Sequence, residues 1–249
     1  MRILFLTHYF PPEVGAPQTR IFELGNALGA RGHDVTALTP FPHYPTGIIP
    51  DEYRPALFRR EVIGNVKVVR SWVYAVPNRG VVKRLGNHVS FTLSSMLGAL
   101  ATGPADVVVV ETPPLFLGFS GYVISRLKRC DYVCNVADPW LASAVALGVL
   151  ENRAAIRAGE ELERFIYAKA ARVTTVTRGL YDGLVAQGVP ERKLALITNG
   201  VDTGYFRPDL DSRNWRARFG GDGKFVVLYA GTHGLTQGLE TVLEAARQL

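Results

Sequence analysis

The chain has 249 residues, 47% of them hydrophobic and 20% charged, with 28 lysines and arginines against 22 acidic residues and a net charge of +6. This composition excludes a disordered or fibrous chain and provides a core for one large domain or two. The positive balance suits anionic partners such as nucleotide diphosphates or acidic membrane surfaces; no basic run carries interleaved aromatics, which argues against nucleic acid.

Arg2 to Thr7 is a short apolar run that predicts a buried strand. His8 to Pro17 then breaks regular structure with three prolines. From Gln18 to Arg31 the spacing predicts a helix, with Ile21, Phe22, Leu24, Gly25 and Leu28 on one side. In a parallel α/β sheet the loop of such a strand–loop–helix unit lies at the carboxyl edge of the strands, where ligands bind. The loop lacks GxGxxG, which disfavours a dehydrogenase. Its one glycine, Gly15, precedes a helix N-terminus, a potential anion site. A plain connection accounts for it equally well.

Val35 to Thr39 predicts the second strand, and Pro40 to Asn65 a long connection containing Phe41-Pro42-His43-Tyr44-Pro45. Connections of that length are usually functional or mobile. Val66 to Arg70 alternates as a strand. Val81 to Thr102 is a long, mostly apolar helix, read as buried between layers in preference to lying on a membrane. Asp106 to Val110 is a β-branched run suited to a central parallel strand, ended by Glu111-Thr112-Pro113-Pro114. A helix (Leu115 to Arg129), a strand (Tyr132 to Val136) and the loop Ala137-Asp138-Pro139-Trp140 follow. Next come a helix from Glu151 to Ala171, a strand from Val173 to Val176, a helix from Gly179 to Gln187 and a strand from Leu194 to Ile197, closed by a turn at Asn199-Gly200. The alternation describes one doubly wound, mostly parallel α/β domain over residues 1–206. Residues 207–249 read as a linker, a strand from Lys224 to Ala230, a glycine-containing loop and a helix: the incomplete start of a second Rossmann-like domain.

Cys130 and Cys134 have neither CxxC spacing nor a His/Cys cluster around them, so free thiols in a reducing cytosol are expected and no metal site. The N-terminal run is too short for a signal peptide, and Val89 to Thr102 is too short and too polar to span a bilayer.

Several motifs together resemble the family 4 glycosyltransferases of the GT-B fold, in particular the bacterial surface-polysaccharide group similar to fucosamine transferases. They are Leu6 to Gly15, Arg31 to Thr36, Phe41 to Gly47, Thr112 to Gly118 and Ser143 to Gly148. Ile197 to Asp202 with Phe206 and Pro208 resembles the end of the family's first domain; Tyr229-Ala230-Gly231 and Gln237 to Glu240 resemble the start of its second. The resemblance implies two facing Rossmann-like domains and retaining, metal-independent transfer from a nucleotide sugar to a saccharide or polyprenyl-linked acceptor, with no further cofactor. A cytoplasmic location is expected; Lys83-Arg84 and Arg126-Lys128-Arg129 read most simply as solvated helix faces, and with a polyprenyl-linked acceptor they would give peripheral contact at the inner face of the membrane. On it, Gly15, Ala16, Gly231, Thr232 and His233 are expected at the donor, and His8, His43, Tyr44, Thr112 and Trp140 at the acceptor. Asp138 is the expected catalytic residue, an acceptor contact or base, and Glu111 an expected site edge, since a charge there must be solvated or paired.

Four departures stand out. Ala16 replaces a second glycine; Ala142 stands where relatives often carry a glutamate; Thr232 and Gln237 stand where many carry Arg and Lys; and the family's E-x7-E motif would lie beyond Leu249. A chain with so little of the second domain is expected to fold without transferring sugar and to self-associate through Phe225, Val227, Tyr229, Leu239, Val242 and Leu243. The rival readings are a non-catalytic module that binds acceptor or a partner chain, and a nucleotide-sugar epimerase of the related fold.

Overall fold

The computed structural model describes residues 1–249 except 55, 78–79, 210–212, 235–236 and 249. Two compact units divide between Asn199 and Gly200, so the boundary drawn from sequence after residue 206 falls inside the second.

The first unit is an eight-stranded sheet with helices on both faces. In chain order its elements are β1 (Arg2–Leu6), α1 (Ala16–Ala30), β2 (Asp34–Pro40), β3 (Phe58–Ile63), β4 (Val66–Ser71), α2 (Val81–Gly98), β5 (Val107–Thr112), α3 (Phe116–Lys128), β6 (Asp131–Val136), α4 (Trp140–Ala146), α5 (Arg153–Lys169), β7 (Arg172–Thr175), α6 (Arg178–Ala186) and β8 (Leu194–Leu196). The strand order is β3-β4-β2-β1-β5-β6-β7-β8. Every pairing is parallel except β3 with β4.

Alternation along the strands sorts side chains to two faces. Ile3, Phe5, Val35, Ala37, Val66 and Val68 pack under Ile21 of α1. Leu4, Leu6, Leu38, Val108 and Val110 face the other way and meet Phe91 of α2, Leu117 and Ile124 of α3, and Ile166 of α5. This two-sided burial explains why the strands read as near-continuous apolar runs. Helix α3 lies close on the sheet because Gly121 leaves room, a Cβ there standing 2.1 Å from Val110 Cγ2, and close to α5 because a Cβ at Gly118 would stand 2.7 Å from Ile166 Cδ1. Cys130 and Cys134 are free thiols, and burial raises the Cys134 pKa to about 12.

Three expectations are corrected. The connection from Pro40 to Asn65 contains a strand, β3, at the sheet edge. Its Arg59, Arg60 and Glu61 hide the usual pattern, and charges of this kind protect an edge from further pairing. The helix over residues 81–98 is not buried between layers. Its inner face packs on the sheet through Phe91 and Gly98 and on α3 through Ser95, while Val82, Leu85, Val89, Leu93 and Leu97 are exposed. Lys224 to Ala230 forms no strand; a strand exists only in a ladder, and among the described residues none lies beside it.

The second unit contains α7 (Arg213–Arg218) and α8 (Leu239–Gln248). Phe225, Val227 and Leu228 are exposed. Among the described residues no helix is long and apolar enough to cross a membrane.

Candidate functional site at the carboxyl edge of the sheet

The loops after β1, β2, β5 and β6 leave the sheet at its carboxyl edge, and most of the singled-out residues lie on them. The loop after β1 is tied down by charge. Glu13 is buried, and its Oε1 accepts the backbone N–H groups of His43 and Tyr44, each at 2.8 Å. Arg70 is wholly buried; its Nε donates to Glu61 at 2.7 Å and its Nη2 to the carbonyl of Pro11. A carboxylate from one loop and a guanidinium from β4 thus hold the first two carboxyl-edge loops together.

Asn87 of α2 clamps two histidines beneath these loops. His8 Nε2 donates to Asn87 Oδ1 at 2.9 Å, and Asn87 Nδ2 donates to His43 Nε2 at 2.8 Å. His43 Nδ1 donates to the Phe41 carbonyl at 2.8 Å, which fixes its tautomer. The His88 ring stands edge-on to His8 with centroids 5.0 Å apart. His8 and His43 are therefore enclosed rather than presented at an open surface, at 1% and 6% exposure. Burial lowers the His8 pKa well below its ordinary value, and the neighbouring His88 and His43 add to the shift. Burial likewise lowers the His88 pKa to about 4, with Arg84 and His43 acting in the same sense. Tyr44 stays partly exposed, edge-on to Tyr9. Trp140 is half-buried, edge-on to His88 and Phe116. Thr112 is buried, and its hydroxyl donates inward to the Asn135 carbonyl at 3.0 Å.

A second polar group spans three strands on the α1 face. Glu111, Asn135 and Thr174 are register neighbours on β5, β6 and β7. Asn135 Nδ2 donates to Glu111 Oε2 at 2.6 Å, and Thr174 Oγ1 donates to Asn135 Oδ1 at 2.7 Å. Arg20 of α1 completes the row by pairing with Glu111 Oε1, and its Nη1 reaches Asn199 Oδ1 at 3.4 Å. Burial lowers the Arg20 pKa, opposed by the charge of Asp138. Asp138 itself is exposed just past β6 and borders a groove of about 450 Å³ lined also by Glu163, Tyr167, Thr177 and Leu180.

Gly15 is the N-cap of α1, and Pro17 sits in its first turn. With φ 167° and ψ 171° its backbone is extended, a conformation open to any residue. What a side chain there would meet is Gln18 Oε1, 2.5 Å from the position of a Cβ. That oxygen is buried without a hydrogen-bond partner. The N–H groups of Ala16 and Gln18 have no acceptor within the helix, while Thr19 N–H donates to the Gly15 carbonyl at 3.0 Å. Gly231, Thr232 and His233 belong to the second unit, where Tyr229 donates to the Thr232 carbonyl at 2.8 Å and stands edge-on to His233.

The fold brings together His8, His43, Tyr44 and Trp140 around Asn87 and His88, and Arg20 beside Asp138 and Glu111. Arg20, Glu13, Asn87, Asn135 and Thr174 escaped the sequence reading. An asparagine interrupting a mostly apolar helix was the available signal for Asn87. Nothing local marks Arg20, an ordinary charged residue on an amphipathic helix.

An α/β domain with its polar side chains gathered at the carboxyl edge of a parallel sheet is the architecture of a ligand-binding Rossmann-like domain. The model of the glycosyl transferase 4-like domain matches residues 15–200, and the chain belongs to that family. It is 26% identical to WcaI of Escherichia coli (strain K12), assigned to colanic acid biosynthesis as a glycosyl transferase, over 100% of this chain and 63% of WcaI. It is 24% identical to the GDP-mannose-dependent alpha-mannosyltransferase of Mycobacterium tuberculosis (strain CDC 1551 / Oshkosh), over 93% of this chain and 56% of that protein. Its fold is shared with sucrose-phosphate synthase from Thermosynechococcus elongatus, at a TM-score of 0.71 and 17% identity, over 100% of this chain and 60% of that one. HepE from Anabaena, solved with UDP-glucose, gives a TM-score of 0.61 and 16% identity, over 100% of this chain and 57% of HepE. The chain thus spans less than two thirds of the length of these relatives.

Proposed function

We propose that this chain carries the acceptor-side domain of a glycosyltransferase. The enzyme would move a sugar from a nucleotide-sugar donor to a saccharide or polyprenyl-linked acceptor in cell-surface polysaccharide synthesis, with retention and without a metal ion. The family match over residues 15–200 carries the reading. The names of WcaI and of the mannosyltransferase support polysaccharide synthesis and a nucleotide-sugar donor.

Transfer breaks the bond between the anomeric carbon and the diphosphate, and negative charge develops on the leaving diphosphate. Donors fixed in advance around that charge lower the barrier. In this reading the free N–H groups of Ala16 and Gln18, at the positive end of the α1 dipole, supply part of the shell. Gly231, Thr232 and His233 are the residues of the second unit proposed to bind the donor. Asp138 is the carboxylate exposed at the edge to engage an acceptor hydroxyl, and Trp140 and Tyr44 are the rings against which a sugar packs. His8 and His43 act from beneath, holding the loops through Asn87. The protein works on the cytoplasmic side, against the membrane that carries a polyprenyl acceptor.

The test is release of nucleoside diphosphate from UDP- and GDP-sugars by a protein that joins these residues to a complete nucleotide-sugar domain, with and without a polyprenyl-diphosphate sugar and in the presence of EDTA; the 249-residue chain alone is expected to release none. Acceptor-dependent release that survives EDTA is expected. Release of nucleotide, or inversion of a stereocentre of the sugar, without acceptor would replace the reading with an epimerase; acceptor binding without turnover would replace it with a non-catalytic module.

A further inference from the structure

The outer face of α2 is the largest feature the proposed reaction leaves unused. Val82, Leu85, Val89, Leu93 and Leu97, followed by Leu100 in the turn after the helix, recur every three or four residues and form one stripe. All are exposed, Val82 and Leu100 by 82% and 78%. At the rise of a helix the stripe runs about 27 Å. It lies opposite the buried row of Asn87, Phe91 and Ser95, so burial in the domain core cannot account for it.

Its surroundings are aromatic and cationic. Trp72 and Tyr74 are exposed beside it, held by Ser94, whose hydroxyl donates to the Trp72 carbonyl, and by Ser90, whose Oγ accepts the Tyr74 N–H at 2.9 Å. Lys83 and Arg84 are exposed at its start. At its end Arg60 Nη2 donates to the Ala101 carbonyl and Lys128 Nζ to the Ala99 carbonyl, each at 3.0 Å, which places two cations beside Leu100. No Asp or Glu occurs from residue 72 to residue 105, nor from 113 to 130, the stretch containing α3, which packs against α2.

We propose that this face docks on an anionic lipid bilayer, with the apolar stripe in the headgroup–acyl boundary, Trp72 and Tyr74 at the interface, and the cations against lipid phosphates. This names the surface behind the peripheral membrane contact in the function proposed above and rests on that contact, but not on sugar transfer. Charge decides for a bilayer over a second copy of the chain. Two such faces would set like charges against one another at both ends of the stripe, whereas an anionic membrane complements both.

Flotation of the 249-residue protein with phosphatidylcholine vesicles, with and without phosphatidylglycerol, tests the proposal. The wild type is expected on the anionic vesicles, less so as salt rises. Leu93→Gln and Leu97→Gln should each weaken binding about tenfold, and Lys83→Gln about fivefold. Phe225→Gln with Leu228→Gln, outside the stripe, should leave binding unchanged. The substituted side chains are exposed, so unchanged urea midpoints will certify the fold. Stripe variants that bind like wild type would overturn the proposal. So would equal binding to neutral vesicles, or stripe variants that only dissociate a dimer in sedimentation velocity. The assay contains no nucleotide sugar, so its failure leaves the transferase reading standing, and loss of transfer leaves docking standing.

Discussion

The histidines beneath the carboxyl-edge loops should make this protein acid-labile well above the range in which ordinary carboxylates titrate. His88 has a folded pKa of about 4 against an ordinary 6.5, because burial penalises its charged form and Arg84 and His43 repel it. A depressed folded pKa means that the unfolded chain binds more protons between these two values. Stability is therefore complete above about pH 6.5 and is lost as pH falls toward about 4. Integrating the proton uptake from about pH 7.5 to about pH 5 gives a loss of about 2 kcal/mol from His88 alone. His8, lowered by the same causes, adds a loss of the same sign. The measurement is urea unfolding at these two pH values for the wild type and for His88→Leu, which keeps the site filled without a titrating group. The variant should lose about 2 kcal/mol less than the wild type over that interval. An identical pH dependence in both proteins would show that His88 is not buried in its neutral form and would refute the packing described around Asn87.

Three further outcomes follow from the same contacts. Arg20→Leu leaves the buried Glu111 carboxylate without its cation and should cost about 3–5 kcal/mol in urea unfolding, most of it recovered in Arg20→Leu/Glu111→Leu; a double variant no more stable than the single would show that the pair is not coupled. Gly15→Val should fold, because the backbone there is extended and only the movable end of Gln18 stands in the way, yet raise the donor KM in the glycosyltransferase assay by crowding the first turn of α1; an unchanged KM would remove Gly15 from the donor site. Gly121→Ala sets a Cβ against Val110 in the core and should cost about 1–3 kcal/mol, seen as a lower urea midpoint; a midpoint equal to wild type would mean that α3 can move off the sheet freely.

The alternation of strands and helices through residue 197 could be read from the chain because its signals are local. Apolar runs such as Asp106 to Val110 carry their own period, and prolines and glycines end them within a few residues. The carboxyl-edge loops were legible for the same reason, and with them Asp138, Tyr44 and Trp140. The polar row was not. Arg20, Glu111, Asn135 and Thr174 meet only because β5, β6 and β7 lie side by side under α1. Asn87 joins His8 to His43 across 79 and 44 residues of chain. Strand β3 carries charges on both faces, so only its pairing with β4 defines it. The run from Lys224 to Ala230 has strand composition but no neighbouring strand among the described residues, and composition alone closes no hydrogen bonds. In α2, an apolar sequence shows how much surface wants cover, while tertiary packing decides which side receives it. Burial depends on what stands opposite a side chain, and that is not encoded at the residue's own position.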